Sequence, residues 1–453
     1  MQFTDRAEPG HELKIAIIGT GISGLSAAWL LARHHNVTVY EAADRTGGHS
    51  HTEEVEIGSA LVGVDTGFMV YNEPSYPNLT ALFSELDVPT TPTDMSFAVS
   101  LDHGAFEYAG SGLAGLLAQP SNILKPRFWS MLSGLIRFYR NAPRDVSPMG
   151  DISLDDYLDR AGYGRAFRDD HLYPMAAAIW STPAAMVGAH PAAAFVRFCE
   201  NHGLLRLSGR PVWRTVRNGS REYVSRLTRS FSDRILLATP VVSVVRDDDG
   251  VVIHDAKGGR RRFDHAVIAT HADCALALLA DPTADERRLL GAFAYAHNEA
   301  VLHTDISLMP KRRAAWASWN YLSIGETDAR RLSVTYWMNR LQPLDTETPI
   351  FVTLNPFAEP LEGSVLRREQ YEHPMSDVAS MRAQQELWTL QGQRKTWFCG
   401  AYFGAGFHED GLQAGLAVAE DLGGHRRPWN VENHSGRIAR RSLSSPQQHL
   451  VRV

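Results

Sequence analysis

The sequence predicts an α/β fold: a Rossmann-like nucleotide-binding domain interleaved with a second, mixed α+β domain. Three stretches predict it. Residues 14–41 read as an apolar strand, a glycine turn, a helix and a second strand that ends on an acid. Residues 41–49 add Arg45 and a Gly47-Gly48 pair directly after that acid. Residues 397–422, near the other end of the chain, repeat the order of strand, glycine-rich turn and helix.

Each part of the first stretch has a physical task. Gly19 permits the tight turn, Gly21 lets the backbone approach a pyrophosphate, and Gly24 lets the helix pack close to the strand. The helix opens at Ile22 and Ser23, whose end of the helix offers N–H groups to phosphates. Glu41 stands 17 positions after Gly24, where an acid accepts the hydroxyls of a ribose, and Ala42 follows it.

The stretch from Glu41 to His49 resembles the second glycine motif of the FAD-dependent amine oxidase and phytoene desaturase superfamily. That resemblance implies FAD as cofactor and an FAD-binding domain of amine oxidase type. It sets Arg45, Gly47 and Gly48 against the diphosphate and ribityl chain, with His49 where most relatives carry arginine. Residues 64–68 resemble a family turn near the flavin, which brings in Thr66, Gly67 and Phe68. Residues 218–224 resemble a glycine-rich helix entry, and the position of Val242 is one that touches adenine through its backbone. Residues 397–415 resemble the closing motif, which places Gly400, Asp410, Gly411 and Leu412 at the flavin. Amides near Gly411 and Leu412 are expected at the positive end of a helix dipole, stabilising negative charge on reduced flavin.

At 453 residues the chain is long enough for two domains. The expected FAD-binding domain takes residues 1–75, 214–294 and 395–424, the substrate domain 76–213 and 295–394, and residues 425–453 form a basic flexible tail. A hydrophobic content of 44% with a net charge of -6 fits a mildly acidic globular protein and gives no sign of nucleic-acid binding. Residues 1–13 are too charged for a signal peptide or a membrane span. Cys199, Cys274 and Cys399 show neither metal-ligand nor disulfide spacing, so no metal is expected and the cytoplasm is the expected compartment. Asp247, Asp248 and Asp249 precede Gly250 between β-branched runs and read as a solvated hairpin turn.

The chemistry has to come from the flavin, and the titratable candidates beside it are few. His408 and Glu409 are the expected catalytic residues, because the motif resemblance sets them next to the ring system; His303 and His373 are further candidates. Amine oxidases of the superfamily generally carry a lysine near flavin N5. Here no lysine occurs between Lys257 and Lys311, and Lys311 lies in a turn-like basic cluster. Residues 171–196 carry no charged side chain yet are divided by Pro174, Pro183 and Pro191, so they offer apolar lining and no membrane span. Residues 128–140 mix Trp, Leu, Phe and Arg in a manner that fits a buried helix with snorkelling arginines or a helix lying on a membrane surface.

Up to about Gly424 the chain resembles bacterial predicted NAD/FAD-binding, amine oxidase-like flavoproteins, a group similar to flavin desaturases of modified fatty acyl chains. The resemblance implies an FAD-dependent oxidoreductase that removes hydride from a hydrophobic, lipid substrate, with peripheral contact at the inner membrane face. The alternatives are a flavin amine oxidase and a non-catalytic flavoprotein partner of a lipid-modifying enzyme. The sequence does not specify the oligomeric state.

Overall fold

The computed structural model of the protein describes residues 12–145, 152–180, 187–206, 208–325, 331–375 and 377–440. A five-stranded parallel sheet forms the nucleotide-binding domain. Its order is Ile235–Leu236, Asn36–Tyr40, Lys14–Ile18, His265–Ile268 and Thr396–Phe398. The central strand is apolar on both faces because the first helix covers one and the antiparallel strands Gly250–Asp255 and Arg260–Phe263 cover the other. The first helix, Ile22–Leu31, has all ten residues buried. It lies against the last helix, His408–Gly423, whose Gly411 and Gly415 come so close that a β-carbon would sit 2.8 Å from Ser23 Oγ at the one and 2.1 Å from the Ser23 carbonyl oxygen at the other. Two motifs from opposite ends of the chain are thereby clamped side by side.

The second domain is built on a seven-stranded mixed sheet in the order Val365–Met375, Ala294–His303, Phe351–Leu354, Arg331–Trp337, Trp319–Ile324, Phe97–Leu101 and Phe106–Ala109. A separate apolar core lies between this sheet and the helices Pro126–Asp145, Leu154–Arg160, Tyr173–Trp180 and Ala192–Asn201. Met175 and Val196, from the uncharged stretch, are part of that core. Residues 181–186 of the stretch lie outside the described residues. The three-aspartate run is the turn between the antiparallel strands Val241–Asp247 and Gly250–Asp255.

Three boundaries differ from the sequence reading. The helix Pro77–Glu85 buries Leu79, Leu82 and Phe83 in the core of the nucleotide-binding domain, and Ala383, Leu387 and Leu390 from the other expected substrate segment join the same core. The expected flexible tail is packed as far as Arg440. Arg427 is buried and pairs with Glu420 at 2.7 Å, Arg437 reaches Asp410, and Ile438 joins the core. The cationic composition that reads as a solvated tail is here matched by buried carboxylates of the last helix. Residues 441–453 lie outside the described residues. Among the described residues no helix is long and apolar enough to cross a membrane.

Candidate functional site

Two glycine turns build one cradle. The Gly19 N–H donates to the Tyr40 carbonyl at 2.8 Å, fixing the first turn to the second strand, and Gly24 sits against the Gly19 carbonyl where no side chain fits. Gly21 differs, since a β-carbon there would meet nothing within 4 Å. Open space therefore faces the first turn of the helix beginning at Ile22, with Ile22 and Ser23 buried beneath it. A diphosphate fits that space. The Gly47 N–H donates to the Thr20 carbonyl at 3.1 Å, and Arg45 Nη1 donates to the Gly48 carbonyl at 2.9 Å. With φ at +57° and its β-carbon direction 3.0 Å from Gly21 Cα, Gly48 is a place only glycine fills without strain. Glu41 closes the adenosine end, its carboxylate accepting from the Thr20 N–H and hydroxyl and from the Ala43 N–H, with Ala42 exposed beside it. Val242 lies at a bulge, where register shifts between Val241 and Ser243, so its backbone is outside the regular ladder.

The cradle continues as a pair of extended segments. The Phe68 N–H donates to the His49 carbonyl at 2.7 Å and the Thr66 N–H to the His51 carbonyl at 2.9 Å, with Gly67 lying flat on the His49 carbonyl. Asp65 anchors this pair, accepting from Thr52, Ser220 and Gln342; burial still raises its carboxyl to about 6.

The closing motif corrects part of the sequence reading. Gly400 does follow the edge strand Thr396–Phe398, but the last helix already opens at His408. The Gly411 N–H is bonded to the Phe407 carbonyl at 3.1 Å, and Leu412 is fully buried inside the helix, so neither is an end amide. The Asp410 carboxylate accepts from the Phe407 N–H at 2.7 Å and from Arg437 Nε at 2.6 Å, and this pair, with its backing by the tail, orients the helix start. Glu409 points away from the cradle. Its carboxylate accepts from the Asn78 N–H and side chain, the Leu79 N–H and the Gln413 amide, at 2.8–3.0 Å. It serves the start of the helix Pro77–Glu85, and a catalytic role for it is withdrawn.

His408, the first residue of the last helix, faces Phe68 and Tyr223. Its ring stacks on Phe68 with centroids 3.9 Å apart, and Tyr223 Oη lies 2.8 Å from its Nε2. Opposite stands a wall from two paired strands, Ala294–His303 and Val365–Met375, in which Asn298 faces Tyr371 and Ala296 faces His373. Tyr371 Oη reaches Thr66 Oγ1 at 2.7 Å, and the His49 ring lies 5.1 Å from that of Tyr371 and 5.7 Å from that of His373. Asn298 Nδ2 lies 2.9 Å from His373 Nδ1, and Asn355 Nδ2 donates to Asn298 Oδ1 at 2.7 Å. Burial holds the rings neutral, pushing His49 and His408 down to about 3 and His373 to about 4. His271, stacked on Tyr295, closes the cluster, 6.2 Å from His49.

The remaining candidates lie elsewhere. His303 is buried within the sheet, bonded to Thr353 Oγ1 at 2.7 Å. Lys311 is exposed beside Glu107, which accepts its backbone N–H. Cys399 is buried with its thiol pushed up by desolvation. His51, Glu53 and Glu369 bring ligand atoms within 4.8 Å of one another, but Arg367 pairs with Glu53, which makes the group an ion-pair cluster. Sequence reasoning missed Asn298, Asn355 and His271. No sequence signal marks Asn298, which sits between His297 and Glu299 in a strand of mixed polarity.

The comparisons agree with this geometry. The family model of flavin containing amine oxidoreductases matches residues 22–408. The flavin-containing amine oxidase A of Canis lupus familiaris is 25% identical over 275 residues, 54% of this chain and 47% of that protein, so the match spans about half the length of this relative. Among solved structures, wild-type putrescine oxidase bound to putrescine superposes with a TM-score of 0.62 at 14% identity, over 92% of this chain and 100% of that one. The fatty acid isomerase from P. acnes gives a TM-score of 0.60 at 15% identity, over 90% and 97%. Those structures share the fold. The open space at Gly21 fits FAD, the cofactor of the matched family. By its motifs, its fold and a family match covering most of its length, the chain belongs to the flavin containing amine oxidoreductase family.

Proposed function

We propose that the protein is an FAD-dependent oxidoreductase that removes hydride from a hydrophobic, lipid substrate of the fatty acyl class, a flavin desaturase or oxidase. Bound FAD supplies the hydride acceptor. The chain's own residues supply the wall, and that wall is the observation that carries the reading. The superfamily's amine oxidases set a lysine near flavin N5; the strand Ala294–His303 carries none and presents Asn298, held by His373 and Asn355. The rings around it are uncharged, because burial disfavours imidazolium at His49, His373 and His408. A half-buried wall with neutral rings suits a substrate without charge at its reacting carbon. The fold shared with a fatty acid isomerase is compatible with an acyl chain there.

The test is anaerobic mixing of the yellow protein with lipid extracts and defined fatty acyl lipids, followed by absorbance. Bleaching by acyl lipids, with products lighter by two hydrogens, is the expected result. Bleaching or peroxide release with polyamines or aromatic amines, and none with lipids, would replace this reading with the amine oxidase one. No bleaching by either class would leave a flavoprotein partner without turnover.

A further inference from the structure

We infer that the face formed by residues 113–140 docks on an anionic lipid surface. Three observations converge on it. The first is exposure: Leu113 is 78%, Leu124 85% and Trp129 52% exposed, with Leu117 and Ile123 also among the exposed large hydrophobics. Single exposed leucines are ordinary on a folded protein, but here five large apolar side chains fall within seventeen residues of one turn-rich segment. The second is geometry. Trp129, Leu132, Ile136 and Arg140 share one flank of the helix Pro126–Asp145 and line a shallow open groove, while Phe128, Met131 and Phe138 turn into the core. Trp129 Nε1 donates to the Ile123 carbonyl at 2.8 Å, so the short helix Pro120–Leu124 and the long one present their apolar tips together.

The third observation is charge, and it selects the occupant. Residues 103–144 carry Lys125, Arg127, Arg137, Arg140 and Arg144 and a single carboxylate, Glu107, which is fully buried. Arg127 is paired with Asp170 at 2.6 Å. Lys125 donates to the Ala105 carbonyl and lies over the Phe106 ring, Arg137 donates to the Ala161 and Gly162 carbonyls and stacks on Tyr163, and neither has an ion-pair partner among the described residues. Among the described residues Arg140 and Arg144 have no ion-pair partner. Apolar tips that protrude from a rim in which cations outnumber the flanking acids Asp102 and Asp145 match a bilayer interface with acidic headgroups, where the tips enter the acyl boundary and the cations stay at headgroup level. A protein partner would have to be an acidic surface with matching sockets, which the protruding tips do not favour. This inference goes beyond the proposed reaction, since docking is read without turnover.

The experiment uses the flavin-loaded full chain, sedimented with vesicles of phosphatidylcholine alone or mixed with phosphatidylglycerol, at low and high salt. Association with the mixed vesicles at low salt, weakened by salt and absent from the neutral ones, is expected. Leu113→Glu with Leu124→Glu should lower the partition at least about tenfold, and Arg137→Glu with Arg140→Glu by at least as much. Both leucines are exposed, so the first pair leaves the core intact, and unchanged flavin content and melting temperature check this. A wild-type protein that stays in the supernatant with anionic vesicles at low salt overturns the inference. So does equal sedimentation of the leucine pair and wild type. Self-association that Leu124→Glu abolishes, without vesicle binding, assigns the face to a second copy of the chain instead.

Discussion

Two sides of the site recognise their ligands by different means. On the cradle side the contacts are backbone: Gly21 faces open space, Gly48 lies over Gly21, and Glu41 is braced by Thr20 and Ala43, all within 29 residues of chain. On the wall side they are side chains, with Asn298, Asn355 and His373 brought together from three strands or strand ends spread over 76 positions. A backbone cradle restricts which residue types fit and tolerates little change. A side-chain wall can be rebuilt residue by residue on the same frame, so it is the wall that sets the substrate. The sharpest way to break this contrast is Gly21→Val. At φ -64° the backbone accommodates any residue, and a β-carbon there meets no protein atom, so the variant should fold. Its side chain would occupy the diphosphate space, and flavin affinity should fall at least about a hundredfold, roughly 3 kcal/mol. Circular dichroism and visible absorbance read the two halves; a folded variant with stoichiometric FAD refutes the cradle assignment.

Glu409 tests the contrast from the other side, because sequence resemblance assigns it to chemistry and the structure to architecture. Glu409→Ala removes the acceptor of four hydrogen bonds in a buried place, and leaving those donors unpaired should destabilise the protein by about 3 kcal/mol or more. Denaturant titration measures it. Flavin reduction in the protein that remains folded should be unchanged, and a variant of normal stability with lost reduction would restore the catalytic role.

How much of the molecule is legible in its sequence follows the same division. Gly19, Gly21, Gly24, Gly47 and Gly48 could be placed because each answers a local backbone demand at a fixed spacing. The interleaving of two domains is also visible, since strand-like and helical segments alternate along the chain. Contacts between side chains far apart in sequence are not legible in this way. Glu409 and Asp410 look like flavin neighbours in the motif, yet their carboxylates are turned to Asn78 and to Arg437. The packed tail was hidden because arginine-rich composition reads as solvated unless the buried acids opposite, Glu420 and Asp410, are known. Asn298 was equally silent, and its pairing with the candidate His373 depends on the register of two strands some 70 residues apart.

The neutral wall makes a prediction about pH. His49 and His408 in the folded protein titrate near 3 and His373 near 4, against 6.5 for a free histidine, so the unfolded chain binds protons more readily. Stability is therefore full above pH 6.5 and falls as the pH drops through the window toward 3. Asp65, raised to about 6, works in the opposite direction, because the folded state holds its proton more tightly than the unfolded one. Together these groups should lower stability by about 2 kcal/mol between pH 6.5 and 5.5. Replacing His373 with Asn should flatten part of that slope. An acid limb that is unchanged in His373→Asn, or a protein equally stable at both values, removes the basis for a buried neutral wall.

The smallest expected effect is also the one that most directly divides the two chemistries. Lys311 is the nearest lysine downstream of the wall in sequence, and an amine oxidase reading would turn to it first. In the structure it is exposed: its backbone N–H donates to Glu107 Oε1 at 2.7 Å, and its side chain runs along Gly104, on the strand turn between Phe97–Leu101 and Phe106–Ala109. That turn is at the far edge of the seven-stranded sheet from Asn298, with three strands between the hairpin and the strand Ala294–His303 that carries it, so the ammonium group takes no part in the wall. Lys311→Met removes one solvated charge, a change worth under about 1 kcal/mol, and flavin reduction by substrate should stay within about tenfold of wild type. Stopped-flow absorbance under anaerobic conditions measures it. A fall of three orders of magnitude with the flavin still bound would mean that Lys311 reaches the reacting centre in the working enzyme, and the wall as described could not then be the surface that selects the substrate.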